Sequence, residues 1–402
     1  MSASVHRSIG FLLGINLALS VAFFGATPPW AASGLAASCF VLGFIFVKDV
    51  VLAWNEFPLG IRFFVIVLGI YLLGQSVIFA ADPQGALQGL MMWNAMGVTF
   101  LLATRSHSMA GFGHIVIFMA LVETIYGLFS LKMDASHVLW RVKELHQGYL
   151  TGTYLNRNHF AGFLELALGF VLGELFSAWK KNRKREIALY WAFFLFLFYG
   201  LMRSGSRAGI VCFVMSFLLT GILFFRSRIP VRRGIAVFVA LAIGFWAGAQ
   251  TLQSRFQWDE GSIEPVSGRL WVWQETLPMI QSHFWTGIGL GNFYAVFPQF
   301  QSERLLLGWG HAHNDYLELL SELGGPAFLG FAMIVGWFVI CHSKRGLLNP
   351  VVLGGIVGIV SFALHGFADF NFAIPANLYL FLISLGLFYG ISRNPEGEVF
   401  AK

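Results

Sequence analysis

The chain reads as an all-α, polytopic membrane protein of about twelve transmembrane helices, with both termini cytoplasmic and one long outer loop carrying short amphipathic helices. Three observations predict this. Charged residues fill 11% of the 402 positions and hydrophobic ones 57%, against roughly 25% charged in soluble domains, so most of the exterior faces lipid. Apolar runs near the roughly 20 residues that cross a bilayer as helix recur along the whole chain. Lys and Arg gather in alternate connections, as the preference for basic residues on the cytoplasmic side demands.

In chain order, the first run (residues 9–24) could pass for a secretory signal, since Gly25 and Ala26 follow it. Eleven further runs favour a retained helix. Runs at 30–47, 60–80, 86–103 and 109–131 come next, then a longer connection at 132–158. Runs at 159–178, 187–202, 208–225 and 234–249 follow. A second long connection, 250–325, precedes the last three runs at 326–341, 351–367 and 376–391. Backbone polar groups in hydrocarbon must be satisfied within the segment, and runs this long read as helices rather than barrel strands. Cys39, Cys212 and Cys341 all fall in apolar runs and read as packing residues. Residues 1–402 are thus one integral membrane domain, with 132–158 as a first outer loop and 250–325 as the long outer loop expected to carry the chemistry.

With a cytoplasmic N-terminus, 17 of the 26 Lys and Arg fall on the inner side, including the clusters at 180–185 and 226–233. The net charge of +6 therefore marks orientation and does not imply nucleic-acid binding. Nine basic residues remain outside, where orientation alone would leave few. Arg203 and Arg207 flank a Ser-Gly turn between two runs. Each could snorkel or touch lipid phosphate, but a pair of guanidiniums in a tight turn suits a phosphate ligand. Arg269 follows Ser267-Gly268 in the first turn of an expected amphipathic helix, where it opposes the helix dipole. A ligand role and a salt bridge to Glu264 or Glu275 are both open. Gly287-Ile288-Gly289-Leu290-Gly291 lacks the preceding strand and closing Lys of a nucleotide loop.

The sharpest cluster is 310–326. Asp315 and Glu318 have the spacing of a capping box, and Gly324-Gly325-Pro326 ends one helix and starts the next. His313 then precedes a helix N-terminus, whose dipole disfavours imidazolium and keeps a neutral base near pH 7. His311, His313, Asp315 and Glu318 have an alternative reading as metal ligands. Arg157, Asn158, His159, His365 and Asp369 also reach the outer face. Glu123 and Glu165 lie inside runs and must be neutral, paired or facing a cavity. All of these polar groups except Glu123 are expected on one side.

His313-Asn314, nine residues, then Gly324 resembles the periplasmic motif of the O-antigen ligase and Wzy-type polymerase superfamily. Thr153-Tyr154-Leu155-Asn156-Arg157-Asn158-His159-Phe160-Ala161-Gly162, Ser206-Arg207-Ala208-Gly209, and Gly268-Arg269 ahead of Trp271 match it as well. The resemblance covers roughly residues 150–330. It implies an inverting, metal-independent glycosyltransferase of the bacterial inner membrane, working on the periplasmic face without a cofactor. Its donor would be a glycan on undecaprenyl diphosphate and its acceptor lipid A core or another glycan. By this resemblance His313 is the catalytic histidine, and Arg207 and Arg269, with Arg203, bind the donor diphosphate. Arg157, His159, His311, Asp315 and Asp369 rank second, and His311 has no assigned role. O-antigen ligation in lipopolysaccharide assembly is the leading expectation; a polymerase and a protein O-oligosaccharyltransferase follow. A transporter or flippase is the competing class, against which the outer clustering of polar residues argues. The partners expected are these substrates and membrane lipids, with no nucleic acid, and the protein is expected to be a monomer.

Overall fold

The computed structural model describes residues 3–106, 109–226, 235, 239, 266–305, 308–346 and 349–393. The expected ninth run, apart from Ile235 and Val239, lies outside these residues. So do 250–265 of the long loop, with Glu264, and the basic Arg228, Arg232 and Arg233.

The described chain is helical, with one antiparallel ribbon of two-residue strands, β1 (His137–Val138) and β2 (Arg141–Val142). In order the helices are α1 (Ala3–Ala22), α2 (Pro29–Ile45), α3 (Val47–Asn55), α4 (Leu59–Ile78), α5 (Pro83–Arg105) and α6 (Met109–Met133). Then come α7 (Arg157–Lys180), α8 (Lys184–Ser204), α9 (Arg207–Arg226), α10 (Val266–Ser282) and α11 (Phe293–Val296). The last four are α12 (Asp315–Leu323), α13 (Gly325–Gly346), α14 (Pro350–His365) and α15 (Pro375–Arg393). Among the described residues six helices, α4 to α8 and α15, are long and apolar enough to cross a membrane. Helices α1, α9, α13 and α14 carry shorter apolar stretches. This is the construction of a multi-pass membrane protein.

The run at 30–47 does not continue straight: α2 ends at Ile45, and α3 leaves it at 83°. Lys48, Asp49 and Asn55 make α3 more polar than α2, and the chain turns at Phe46 between them.

Helix α7 is the centre of the bundle, with 89% of its apolar stretch buried, whereas α4, at 11%, stands at the margin. Its main partner is α14, and glycines set the closeness of that contact. Gly169 and Gly173 lie four apart on α7, as do Gly354 and Gly358 on α14. A Cβ on Gly354 would come 2.0 Å from the Gly173 nitrogen, and one on Gly169 would come 2.9 Å from the Gly358 Cα. Small residues at this spacing let two backbones touch, which is how helices associate where lipid is as apolar as the side chains.

Buried polar pairs add direction to this packing. Glu165 of α7 accepts from His365 Nδ1 at 2.6 Å and from Ser361 Oγ at 2.5 Å, both on α14. Glu123 of α6 accepts from the amide of Thr153 at 2.6 Å and from its hydroxyl at 2.9 Å. Glu123 and Glu165 are therefore both partnered. Glu123 reaches the 132–158 connection, so it joins the other polar groups instead of standing apart from them. The N-termini of α7, α9 and α15 and the C-termini of α8 and α14 meet at this end. At the opposite end Glu56 pairs with Arg105 and, at 3.4 Å, with Arg393.

Candidate functional site

Residues 311–314 turn into the N-terminus of α12. His313 has φ +49°, a left-handed conformation that few non-glycine residues adopt and one that costs energy unless the surroundings hold it. The expected capping box is corrected here. Asn314, not Asp315, caps the helix, its Oδ1 accepting from Tyr316 N at 3.1 Å and Leu317 N at 3.2 Å. Starting the helix one residue earlier than expected releases both carboxyls for tertiary partners. Asp315 accepts from Phe372 N at 3.0 Å. Glu318 accepts from His311 Nδ1 at 2.7 Å and from Ala312 N at 2.8 Å. Spent in this way, the four residues once open to a metal reading do not converge on a point. Among the described residues no three His, Cys, Asp or Glu side chains do.

Burial first, then the neighbouring Glu318, hold the Asp315 carboxyl well above the usual carboxylate range. Burial pulls the His311 imidazole down, but the Glu318 carboxylate outweighs it, and His311 stays protonated to a higher pH than a free histidine.

Asp369, fully buried in the connection between α14 and α15, is the electrostatic node. Asn158 of α7 donates to its Oδ2, Arg269 Nη2 lies 3.6 Å from the same oxygen, and His313 Nδ1 lies 3.6 Å from Oδ1. Arg269 also donates to the carbonyl of Ala368. Burial would raise the Asp369 carboxyl, but Arg269 and then His313 reverse that and hold it well below the usual range. Asp369 is thus an ionised carboxylate. Arg269 thus pairs with Asp369; of its two expected partners, Glu264 lies outside the described residues and Glu275 accepts from Ser302 N at 2.9 Å.

Phe370 is the steric node. His311 stacks on its face at 4.0 Å, while His313 and His159 meet its edges at 4.7 and 4.6 Å. Trp309 lies against His313 from another side at 5.2 Å, and Trp273 donates to Ala312 O at 3.0 Å. The rings of Phe370 and Trp309 and a fixed backbone leave the His313 ring little freedom.

The structure therefore gathers His159, Arg269, His311, His313, Asp315 and Asp369 around Phe370. Arg207 adjoins them through Ala368: with Val211, Met215, Leu364 and Phe367 it lines an apolar groove of about 420 Å³ that ends on that residue. Arg157 and Arg203 stand on the α7–α8 side. The Arg157 guanidinium lies over the Tyr149 ring at 4.4 Å, and the Arg203 carbonyl accepts from Leu150 N at 3.1 Å. Sequence reasoning missed Phe370 and Trp309, since a lone aromatic in an apolar chain carries no signal. It also left the glycine run at 287–291 without a role. Ile288 N and Gly289 N donate to the carbonyls of Ser321 and Glu322 at 3.0 and 3.1 Å, so this run seats the C-terminus of α12. A separate cavity of about 790 Å³ opens beside Phe370, lined in part by His159 and His311.

The O-antigen ligase family model matches residues 192–332, which places that segment in the O-antigen ligase superfamily. Arg203, Arg207, Arg269, His311, His313 and Asp315 lie within the match; Arg157, His159 and Asp369 lie outside it. No curated protein matches the chain. The family supports an O-antigen-ligase-like glycosyltransferase role and implies a lipid-linked glycan donor and a glycan acceptor in a membrane.

Proposed function

We propose that this member of the O-antigen ligase superfamily transfers a glycan from undecaprenyl diphosphate to a hydroxyl of lipid A core, at the periplasmic face of the bacterial inner membrane. The observation that carries the reading is the line from Arg269 through Asp369 to His313 at one end of the bundle. The Asp369 carboxylate facing Nδ1 favours a proton on that nitrogen, which leaves Nε2 as the acceptor lone pair, the division of labour seen wherever a carboxylate orients a basic histidine. Nε2 takes the proton of the acceptor hydroxyl as its oxygen bonds to the anomeric carbon. The bond from that carbon to the diphosphate breaks on the opposite face, inverting the centre. Charge grows on the departing diphosphate, and Arg207 and Arg269 stabilise it. Arg269 has a second duty, because its bond to Ala368 and its pairing with Asp369 position the carboxylate. No metal is required, since the guanidiniums supply the positive charge.

The groove beside Arg207 supports a polyprenyl donor in particular. A cation at an apolar groove between α9 and α14 offers one surface to phosphate and another to hydrocarbon. We assign twelve spans and cytoplasmic termini to the bundle. The basic cluster at 180–185 stands at the end away from His313, α9 runs from Arg207 near the site to Arg226, and α10 begins again at the site with Arg269.

The test is gel separation of surface polysaccharide from a deletion strain. Free lipid A core with accumulated lipid-linked polymer is the expected result. A single repeat unit on core, or loss of protein glycosylation with normal lipopolysaccharide, would transfer the assignment to polymerisation or to protein glycosylation.

A further inference from the structure

We propose that the cavity beside Phe370 receives the acceptor, taking a hydroxyl-rich sugar ring that carries no phosphate. This rests on the glycosyltransferase reading above and adds which of the two substrates the cavity holds. Its volume of about 790 Å³ is within the roughly 300–1,000 Å³ of small-molecule sites. Its polar lining comes from Asp82, which caps α5, from Gln84 and Gln88 in the next turns, and from Asn156, which caps α7. The rings of Tyr294, His311 and Phe370 also line it. Amide and carboxylate groups exchange hydrogen bonds with hydroxyls, and flat ring faces cover the apolar face of a pyranose.

Charge decides between the substrates. Among the described residues the lining holds the Asp82 carboxylate and no Lys or Arg, and the His311 imidazole there is already paired with Glu318, so a diphosphate would find little unspent positive charge in the cavity. The arginines belong to the other space: Arg207 lines the apolar groove, and Arg269 is bonded at Ala368. Donor phosphate and acceptor sugar are thereby separated. Phe370 lines the cavity with its ring 4.7 Å from that of His313, so a sugar in the cavity lies within about one ring of the base. Displacement with inversion needs this arrangement, in which acceptor and leaving group approach the anomeric carbon from different sides.

The experiment uses the full chain in nanodiscs, with undecaprenyl-diphosphate-linked glycan as donor and dephosphorylated core oligosaccharide as the acceptor probe. The double variant Gln84→Ala/Gln88→Ala is compared with the parent protein; both glutamines are exposed, and Tyr294→Phe provides a second variant that keeps its ring. The acceptor KM should rise about tenfold, as two lost hydroxyl hydrogen bonds predict, with the donor KM unchanged. Direct binding of the core oligosaccharide should weaken in parallel. An unchanged acceptor KM, or a donor KM rising in step, overturns the assignment. Should the parent protein transfer no glycan at all, the proposed function fails. Binding of the oligosaccharide then judges the cavity by itself: binding lost in the double variant supports it, and binding that is equal in both or absent overturns it.

Discussion

At His313 three constraints meet: a left-handed backbone, rings from Trp309 and Phe370, and the ionised Asp369 facing Nδ1. None of these is needed to fold a helical bundle, and together they hold one imidazole in one orientation. His313→Ala should lower glycan transfer by about 10²–10⁴-fold, the usual worth of a general base, with membrane abundance unchanged; retained transfer removes His313 from the chemistry. Asp369→Asn keeps the shape and deletes the charge, whose hydrogen-bonded worth is about 1.5–3 kcal/mol. Transfer should fall by at least about tenfold, and a variant as active as the parent would reduce Asp369 to packing. His311 gives a prediction about stability. Its folded-state pKa is raised by Glu318, so the pair stabilises the protein fully below the ordinary histidine value of about 6.5 and loses that contribution as pH rises through the folded value. The thermal-stability gap between the parent protein and His311→Ala should therefore be widest near pH 6 and narrow toward pH 9. A gap independent of pH would show that His311 acts through its stacking on Phe370 alone.

Among elements, the α7–α14 pair carries the site, since Asn158 and His159 begin the first helix and Asp369 and Phe370 follow the second. Gly354→Leu would drive a side chain into the Gly173 backbone and should lower both thermal stability in detergent and transfer; normal stability would mean that the helices can separate without consequence. Gly287→Ala tests the seat of α12. The residue sits at φ +66°, and a Cβ there would come 2.3 Å from the Glu322 carbonyl. The left-handed conformation alone costs roughly 1–3 kcal/mol in a non-glycine residue, so a fall in melting temperature is expected, and an unchanged value would show that the 287–291 run can shift. Much at this scale was legible in sequence. Apolar runs located the helices, and the small residues four apart at 169, 173, 354 and 358 were available to show which two would touch. The bend at Phe46 and the one-residue shift of the α12 cap were not legible, because each depends on tertiary partners: Asp315 gives up the cap to bind Phe372, 57 residues further along.

Across the whole molecule the polar end is assembled from segments that have no neighbourhood in sequence: α7 near 157, α9 near 207, α10 near 269, the turn at 313 and the connection at 369. Sequence grouped these residues by the side on which each connection falls, and the Arg269–Asp369 pairing required the folded chain. The same parity gives the orientation a direct test. His311 belongs to the site end, and its side chain is 38% exposed; Arg183 belongs to the opposite end, and its side chain is 57% exposed. Both positions can therefore accept a maleimide without unfolding the bundle. Cysteine at each, placed in a background lacking Cys39, Cys212 and Cys341, should react differently with a membrane-impermeant maleimide applied to cells with a permeabilised outer membrane. Position 311 should label at once, and position 183 only after the inner membrane is opened. Because basic residues concentrate at 180–185, the rule that keeps them inside predicts the same outcome independently of the site. Labelling of 183 first would overturn the orientation and the periplasmic donor together, since a lipid-linked glycan displayed on the outer leaflet could not then reach His313.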